Sequence, residues 1–190
     1  MQTDLELVNK ARLGSGAAFK ELVRQHQQIV YNLAYDLTGS REDAQDLSQD
    51  VFIRAFERLD SFRGESRFSS WLYRITMNMW MNNKKRKNFQ VLKMSDSLES
   101  FSDNTGKSYQ PNYPDNPEVK ADMAMINDHI TRAMTVLSAK EKSVFVLRQF
   151  HDQGLDEIAN ILGISLGTVK STLFRSLKKM QKQLSFLQSH

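Results

Sequence analysis

Thr168, Ser171, Arg175, Lys178 and Lys182 recur at three- and four-residue steps, so a helix through them carries all five on one side. Hydroxyls and cations in such a row make hydrogen bonds and charge pairs to base edges and phosphates, which is recognition chemistry rather than bond-making. The opposite side reads Leu166, Val169, Leu173, Leu177, Met180 and Leu184, a core face. Just upstream, Leu155, Ile158, Ala159 and Leu162 share one face of a short helix. Gly163 supplies the turn, having no Cβ to oppose a left-handed backbone, and Ser165 caps the second helix. The run "GLDEIANILGISLGTVKSTLFRSLKKM" therefore reads as a helix-turn-helix offering its second helix to the major groove. Repressors, activators and promoter-recognition subunits all carry such a motif, and it does not choose among them.

A second stretch, "FRGESRFSSWLYR" from Phe62 to Arg74, is harder to place. Arg63, Arg67 and Arg74 do not suit a core, and Phe62, Phe68, Trp71 and Tyr73 do not suit a solvated surface. Glu65 is the one acid among them. Phe68 and Trp71 stand at core spacing, whereas Tyr73, Met77 and Trp80 fall on another side, facing nucleic acid or a second helix.

Catalytic constellations find no support. His26, His129, His151 and His190 are dispersed, no carboxylate or histidine cluster supports a nuclease, and no cofactor or metal is expected. The 190 residues contain no cysteine, which excludes disulfides and thiolate metal sites and fits a reducing compartment. "MQTDLELVNKARLG" has no apolar signal core, and no uninterrupted apolar run approaches a membrane span. A cytoplasmic protein without membrane insertion is the expectation. The net charge of +4 is modest, but its distribution is uneven. The first fifty residues lean acidic, residues 54–93 are rich in Arg and Lys with "KKRK" at Lys84 to Lys87, and no acid follows Glu157.

The elements that must position these residues are helices, since strand patterns are scarce. Thr3 with Glu6 forms a capping box, and Gly14 stops the short helix it opens. Ser15 starts a second helix with the stripe Phe19, Leu22, Val23, His26, Ile29, Val30, Leu33 and Leu37, ended by Gly39. Ser40 opens a third with Ala44, Leu47, Val51, Ala55 and Leu59 on one side. A fourth runs from about Ser66 to about Lys87, with Phe68, Leu72, Ile75 and Met79 at core spacing. Periodicity then fails from about Asn88 to Glu118, a segment holding all three prolines and several acids, which reads as a flexible acidic linker. Helical spacing returns at Met123, and Ser138 with Glu141 forms another capping box. The expected fold is all-α, two small helical domains joined by a flexible linker, the C-terminal one with the helix-turn-helix.

On "DAQDLSQDVFIRAFERLDSFRGESRFSSWLYRITMN" (Asp43 to Asn78) and "LDEIANILGISLGTVKSTLFRSLKKM", the chain resembles RNA polymerase sigma factors of the extracytoplasmic-function type, which keep only the regions called two and four. The resemblance covers nearly the whole chain apart from the linker and the extreme ends, and Thr172 departs from it, many relatives carrying Arg there. It implies a region-two domain at 1–90, a linker at 91–118 and a region-four domain at 119–190. It also implies a bacterial protein with core RNA polymerase and promoter DNA, duplex and single-stranded, as partners, and an anti-sigma factor as a further partner common among such proteins.

The resemblance assigns roles to matching positions. Asp43, Asp46, Gln49 and Asp50 correspond to the face that docks on polymerase, and the three aspartates share one helical face suited to basic partner residues. Phe62, Arg63, Gly64, Ser66, Arg67, Arg74 and Asn78 correspond to the part that captures unstacked bases of the minus-ten element: rings stack, arginines hold phosphates, and glycine lets the backbone come close. Thr168, Lys170, Ser171, Phe174, Arg175 and Lys178 correspond to the minus-thirty-five reader. Opening about ten base-pair steps at about 1.4 kcal/mol each costs on the order of 14 kcal/mol. Stacking returns roughly 1–3 kcal/mol per base, so a loop that captures one or two bases traps an opening driven by a larger machine. A stand-alone helix-turn-helix regulator is the rival reading, and it leaves the loop and the acidic face without work.

Overall fold

The computed structural model describes residues 3–94, 125–126 and 129–185, and these are all-α with no strand among them. Helices α1 (Asp4–Arg12), α2 (Gly16–Thr38), α3 (Arg41–Glu57) and α4 (Phe68–Met94) form the N-terminal lobe, with a 3-10 turn at Leu59–Ser61. A second 3-10 turn (Met134–Val136) leads into α5 (Ala139–Gln149), α6 (Leu155–Leu162) and α7 (Leu166–Leu184) of the C-terminal lobe. Most of the segment read as a linker lies outside the described residues. The helix α4 continues through residues 91–94, so the boundary drawn at residue 90 falls inside it.

Local chemistry sets the helix ends. The capping boxes at Thr3/Glu6 and Ser138/Glu141 are both closed, each satisfying two otherwise orphaned amide donors. Ser15, Ser40 and Ser165 each accept from the amide three residues on. Gly39 and Gly163 end α2 and α6 at φ 73° and 64°, where a side chain would be strained. The stripe on α3 is buried as its spacing requires: Ala44, Leu47, Val51 and Ala55.

Helix α4 departs from a one-sided reading. Phe68 and Leu72 are buried and Ile75 and Met79 half-buried, yet Tyr73, Met77 and Trp80 are buried too. The reason is tertiary: α2 and α3 cover one side of α4, and α5 and α6 of the other lobe pack against it as well. The rings left between nucleic acid and a second helix are thus enclosed by protein.

The same lobe contact buries charge. Lys142 of α5 is half-buried facing Lys84 of α4 and Asp36 of α2; burial, reinforced by Lys84 and opposed by Asp36, lowers its ammonium to about 8. The packed form therefore holds fewer protons at Lys142 than a solvated chain does, so stability rises as pH climbs from about 8 towards 10.5. Above pH 10 the Tyr73 phenol, raised by burial and by Asp36 and Glu157, contributes the opposite slope. Thermal melts followed by circular dichroism should show the midpoint increasing between pH 8 and pH 10, and Lys142→Met should flatten that increase. An equal increase in the variant would assign it to other groups.

Candidate nucleic-acid interface

The 3-10 turn at Leu59–Ser61 delivers the chain into the Phe62–Arg67 loop, and α1 holds it there. The Arg12 guanidinium donates to the carbonyl of Leu59 from Nε at 3.2 Å and from Nη2 at 2.9 Å, and to the carbonyls of Asp60 and Phe62. Converging on one charged fork, these carbonyls fix the start of the loop. Gly64 sits at φ 75°, and a Cβ there would come 3.2 Å from Leu5 Cδ1 of α1. Its need is thus local geometry, a left-handed turn laid against α1.

Phe62 is corrected by this geometry. The residue is 4% exposed, with its ring centroid 5.3 Å from that of Phe68 and 5.5 Å from that of Trp71, so it braces the loop from inside and is too enclosed to serve as a stacking platform. Arg63, Ser66, Arg74 and Asn78 do come together. With Arg58, Ser61, Phe62, Glu65, Trp71 and Ile75 they line a concavity of about 590 Å³. Gly64 and Arg67 are exposed on the loop outside that lining. Asn160 of α6, on the other lobe, also lines it, and its carbonyl accepts from Arg74 Nη2 at 3.0 Å.

The acidic face is likewise assembled. Asp43, Asp46 and Asp50 line a groove of about 360 Å³ between α3 and α4, whose wall also carries Leu47, Trp80, Asn83, Lys84 and Arg86. Gln49 is exposed but outside the groove, about 100° around the helix from Asp50.

On α7, Lys170, Ser171, Arg175 and Lys178 are exposed, and Phe174 is 69% exposed. Thr168 is half-buried, its Oγ1 2.8 Å from the capping Ser165 Oγ. The core side of this helix needs correction. Leu177 is 42% exposed, while Thr172 and Ser176 are fully buried between Val169 and Met180. Small hydroxyls can enter a core when bonded: Ser176 Oγ donates to the Leu173 carbonyl at 2.7 Å, and Thr172 Oγ1 accepts from Arg175 Nη2 at 3.3 Å. Thr172 therefore packs inward and steadies Arg175.

Arg12, Asn160 and the buried hydroxyls were not legible as site residues. Arg12 and Asn160 act across separations of about fifty and eighty-six residues, which no local pattern carries. The glycine in "FRGE" was the available hint that the loop needed bracing.

Known proteins resemble the chain along most of its length. The Sigma-70 region 2 family matches residues 22–90 and the Sigma-70, region 4 family residues 128–180. The RNA polymerase sigma factor YlaC of Bacillus subtilis (strain 168) is 32% identical over 168 residues, covering 88% of this chain and 92% of that protein. The ECF RNA polymerase sigma-E factor of Escherichia coli (strain K12) is 30% identical over 190 residues, covering 96% and 94%. Among solved structures, the sigma factor RpoE in complex with the anti-sigma factor NepR from Bartonella quintana has the same fold, with a TM-score of 0.68 at 24% identity over 88% of this chain and 96% of that one. The helix-turn-helix, the braced loop and the acidic groove sit in a chain that belongs to the extracytoplasmic-function sigma factors of RNA polymerase.

Proposed function

We propose that the three surfaces divide the work of transcription initiation. The Asp43–Asp46–Asp50 groove, with Gln49 beside it, docks on core RNA polymerase; the loop with Arg63, Ser66, Arg67, Arg74 and Asn78 captures a base of the melted minus-ten element; and α7 reads the minus-thirty-five element in duplex form. The domains are those of the resemblance, with the N-terminal one extended through the end of α4. The protein acts by positioning and catalyses nothing itself, and it works in the bacterial cytoplasm, where polymerase and DNA are. An anti-sigma factor is a further partner of the class.

One observation carries the minus-ten assignment. Arg63, Ser66, Arg74 and Asn78, from a loop and a helix, line a single open concavity beside exposed backbone at Gly64. Cations, a hydroxyl and an amide edge around one cavity suit a phosphate and a flipped base. Replacing Ser61 to Arg67 with the loop of a relative of different promoter preference, keeping Gly64, should change the preferred base at one or two minus-ten positions and leave the upstream preference fixed. Because flipping costs a few kcal/mol, the change should shrink on templates already mismatched there. Transcription from a randomised minus-ten library, on paired and pre-melted templates, checks this. An unaltered base preference would reduce the loop to scaffold.

A further inference from the structure

The two lobes are joined by polar contacts centred on His151, a residue that neither promoter reading nor polymerase docking uses. His151, in the turn between α5 and α6, reaches across to the N-terminal lobe. Its Nε2 lies 2.9 Å from Asp36 Oδ2 on α2 and its Nδ1 3.2 Å from the Tyr73 hydroxyl on α4. The Tyr73 and His151 rings also meet edge to face at 5.4 Å. A neutral imidazole satisfies both bonds at once, with Nε2–H donating to Asp36 and Nδ1 accepting from the phenol. The His151 side chain is 7% exposed, so both partners are needed where it lies.

The turn is built to aim it. Asp152 holds φ 52°, a left-handed conformation uncommon outside glycine. Gln153 closes on both sides of it, its amide nitrogen donating to the Leu147 carbonyl at 3.0 Å and its side chain to the His151 carbonyl at 2.7 Å. Arg148 donates to the Gln153 carbonyl at 3.1 Å. Beside the histidine, Ser70 donates to the Glu157 carboxylate and Arg74 to the Asn160 carbonyl. Three contacts thus tie α6 and its preceding turn to α4, and the last engages an arginine of the minus-ten concavity.

This closed arrangement cannot persist on a promoter. The two DNA elements lie about 25 base pairs apart, about 85 Å at 3.4 Å per base pair, whereas α7 spans only about 28 Å at 1.5 Å per residue. With Arg74 bonded to Asn160 on the other lobe, α4 and α7 cannot reach both elements. We propose that Asp36, His151 and Tyr73 form an autoinhibitory latch that holds the free chain closed, keeps Arg74 against Asn160, and lowers apparent affinity for promoter DNA until the lobes part. The inhibitory part rests on the minus-ten reading above; the latch does not. Affinity falls with the fraction of chain that is open, so latch strength sets how much protein half-saturates promoter-dependent transcription.

The chain has no cysteine, so spin labels at Lys20→Cys and Gln181→Cys, both exposed, report lobe separation in the full protein. The free chain should give one short distance distribution. His151→Ala removes both latch bonds and should add a longer component and lower the concentration of chain that half-saturates run-off transcription with core polymerase by up to about tenfold, with the yield at saturation unchanged. Tyr73→Phe and Asp36→Ala each remove one bond and should move both readouts less, in the same direction; they decide the matter if His151→Ala loses helicity by circular dichroism. Unchanged distances in all three variants would overturn the latch. Longer distances without a lower half-saturating concentration in transcription would overturn its inhibitory role. The distance measurement uses no DNA, so a failed minus-ten reading, seen as an unaltered base preference on loop exchange, leaves it intact.

Discussion

Asp46→Arg together with Asp50→Arg should abolish binding to core RNA polymerase while leaving the fold in place. Both aspartates are exposed and line the groove between α3 and α4, and neither belongs to the buried stripe of Ala44, Leu47, Val51 and Ala55. A basic docking partner would meet a change of four charge units across two positions. Like charges juxtaposed at an interface cost several kcal/mol, and each 1.4 kcal/mol is about tenfold, so a loss of about a thousandfold or more is expected. Lys84 and Arg86 stand on the same groove, so new arginines also repel their own helix α4. Asp46→Asn with Asp50→Asn separates the two effects: it removes the attraction without adding repulsion and should give a smaller loss of the same sign. Pull-down with core polymerase measures both, with thermal melts to confirm the fold. Unchanged binding in the arginine variant would show that this face docks nothing.

The second large effect is a contrast on the recognition helix. Arg175→Ala should cost roughly 1–3 kcal/mol on the cognate upstream element if the guanidinium reads a base edge. Lys178→Ala should weaken all sequences alike and reduce the salt slope by about one unit. Both side chains are exposed on α7, but only Arg175 has an anchor, the bond from its Nη2 to the buried Thr172 hydroxyl. A guanidinium held in one orientation is suited to reading a fixed pattern of acceptors, whereas an unanchored ammonium meets phosphate as a point charge. Binding titrations of the holoenzyme on cognate and scrambled upstream DNA, at several salt concentrations, separate the two. Identical, sequence-independent losses would make Arg175 a phosphate contact.

Much of the fold could be read locally because its signals are local. Capping boxes involve residues three apart, so Thr3 with Glu6 and Ser138 with Glu141 announced their helices. Gly39 and Gly163 marked helix ends through backbone freedom alone. The misreadings arose where a distant element decided the outcome. Tyr73, Met77 and Trp80 were ambiguous because α4 is covered from two sides, partly by the other lobe. Leu177 was read as core, but Thr172 and Ser176 enter the core in its place, held by bonds to Arg175 and to the Leu173 carbonyl. Phe62 belonged to a group whose residue types suit base capture, but its own ring closes a cluster with Phe68 and Trp71. In the candidate site, residue types singled out the arginines and the family resemblance named Ser66 and Asn78; Arg63, Ser66, Arg74 and Asn78 share a cavity, while Asn160 could enter that list only through the packing of the lobes.

The hold of Arg12 on the carbonyls of Leu59, Asp60 and Phe62 bears on how this protein can be recombined. Helix α1 lies wholly before residue 22, where the region 2 match begins, yet the loop rests on it twice, through Arg12 and through Leu5 under Gly64. The module that would carry the proposed base choice is therefore larger than the family boundary. A graft trimmed to that boundary carries the loop's letters without its foundation, and chimeras that move α1 and the loop as a pair preserve the shape on which any transferred preference depends.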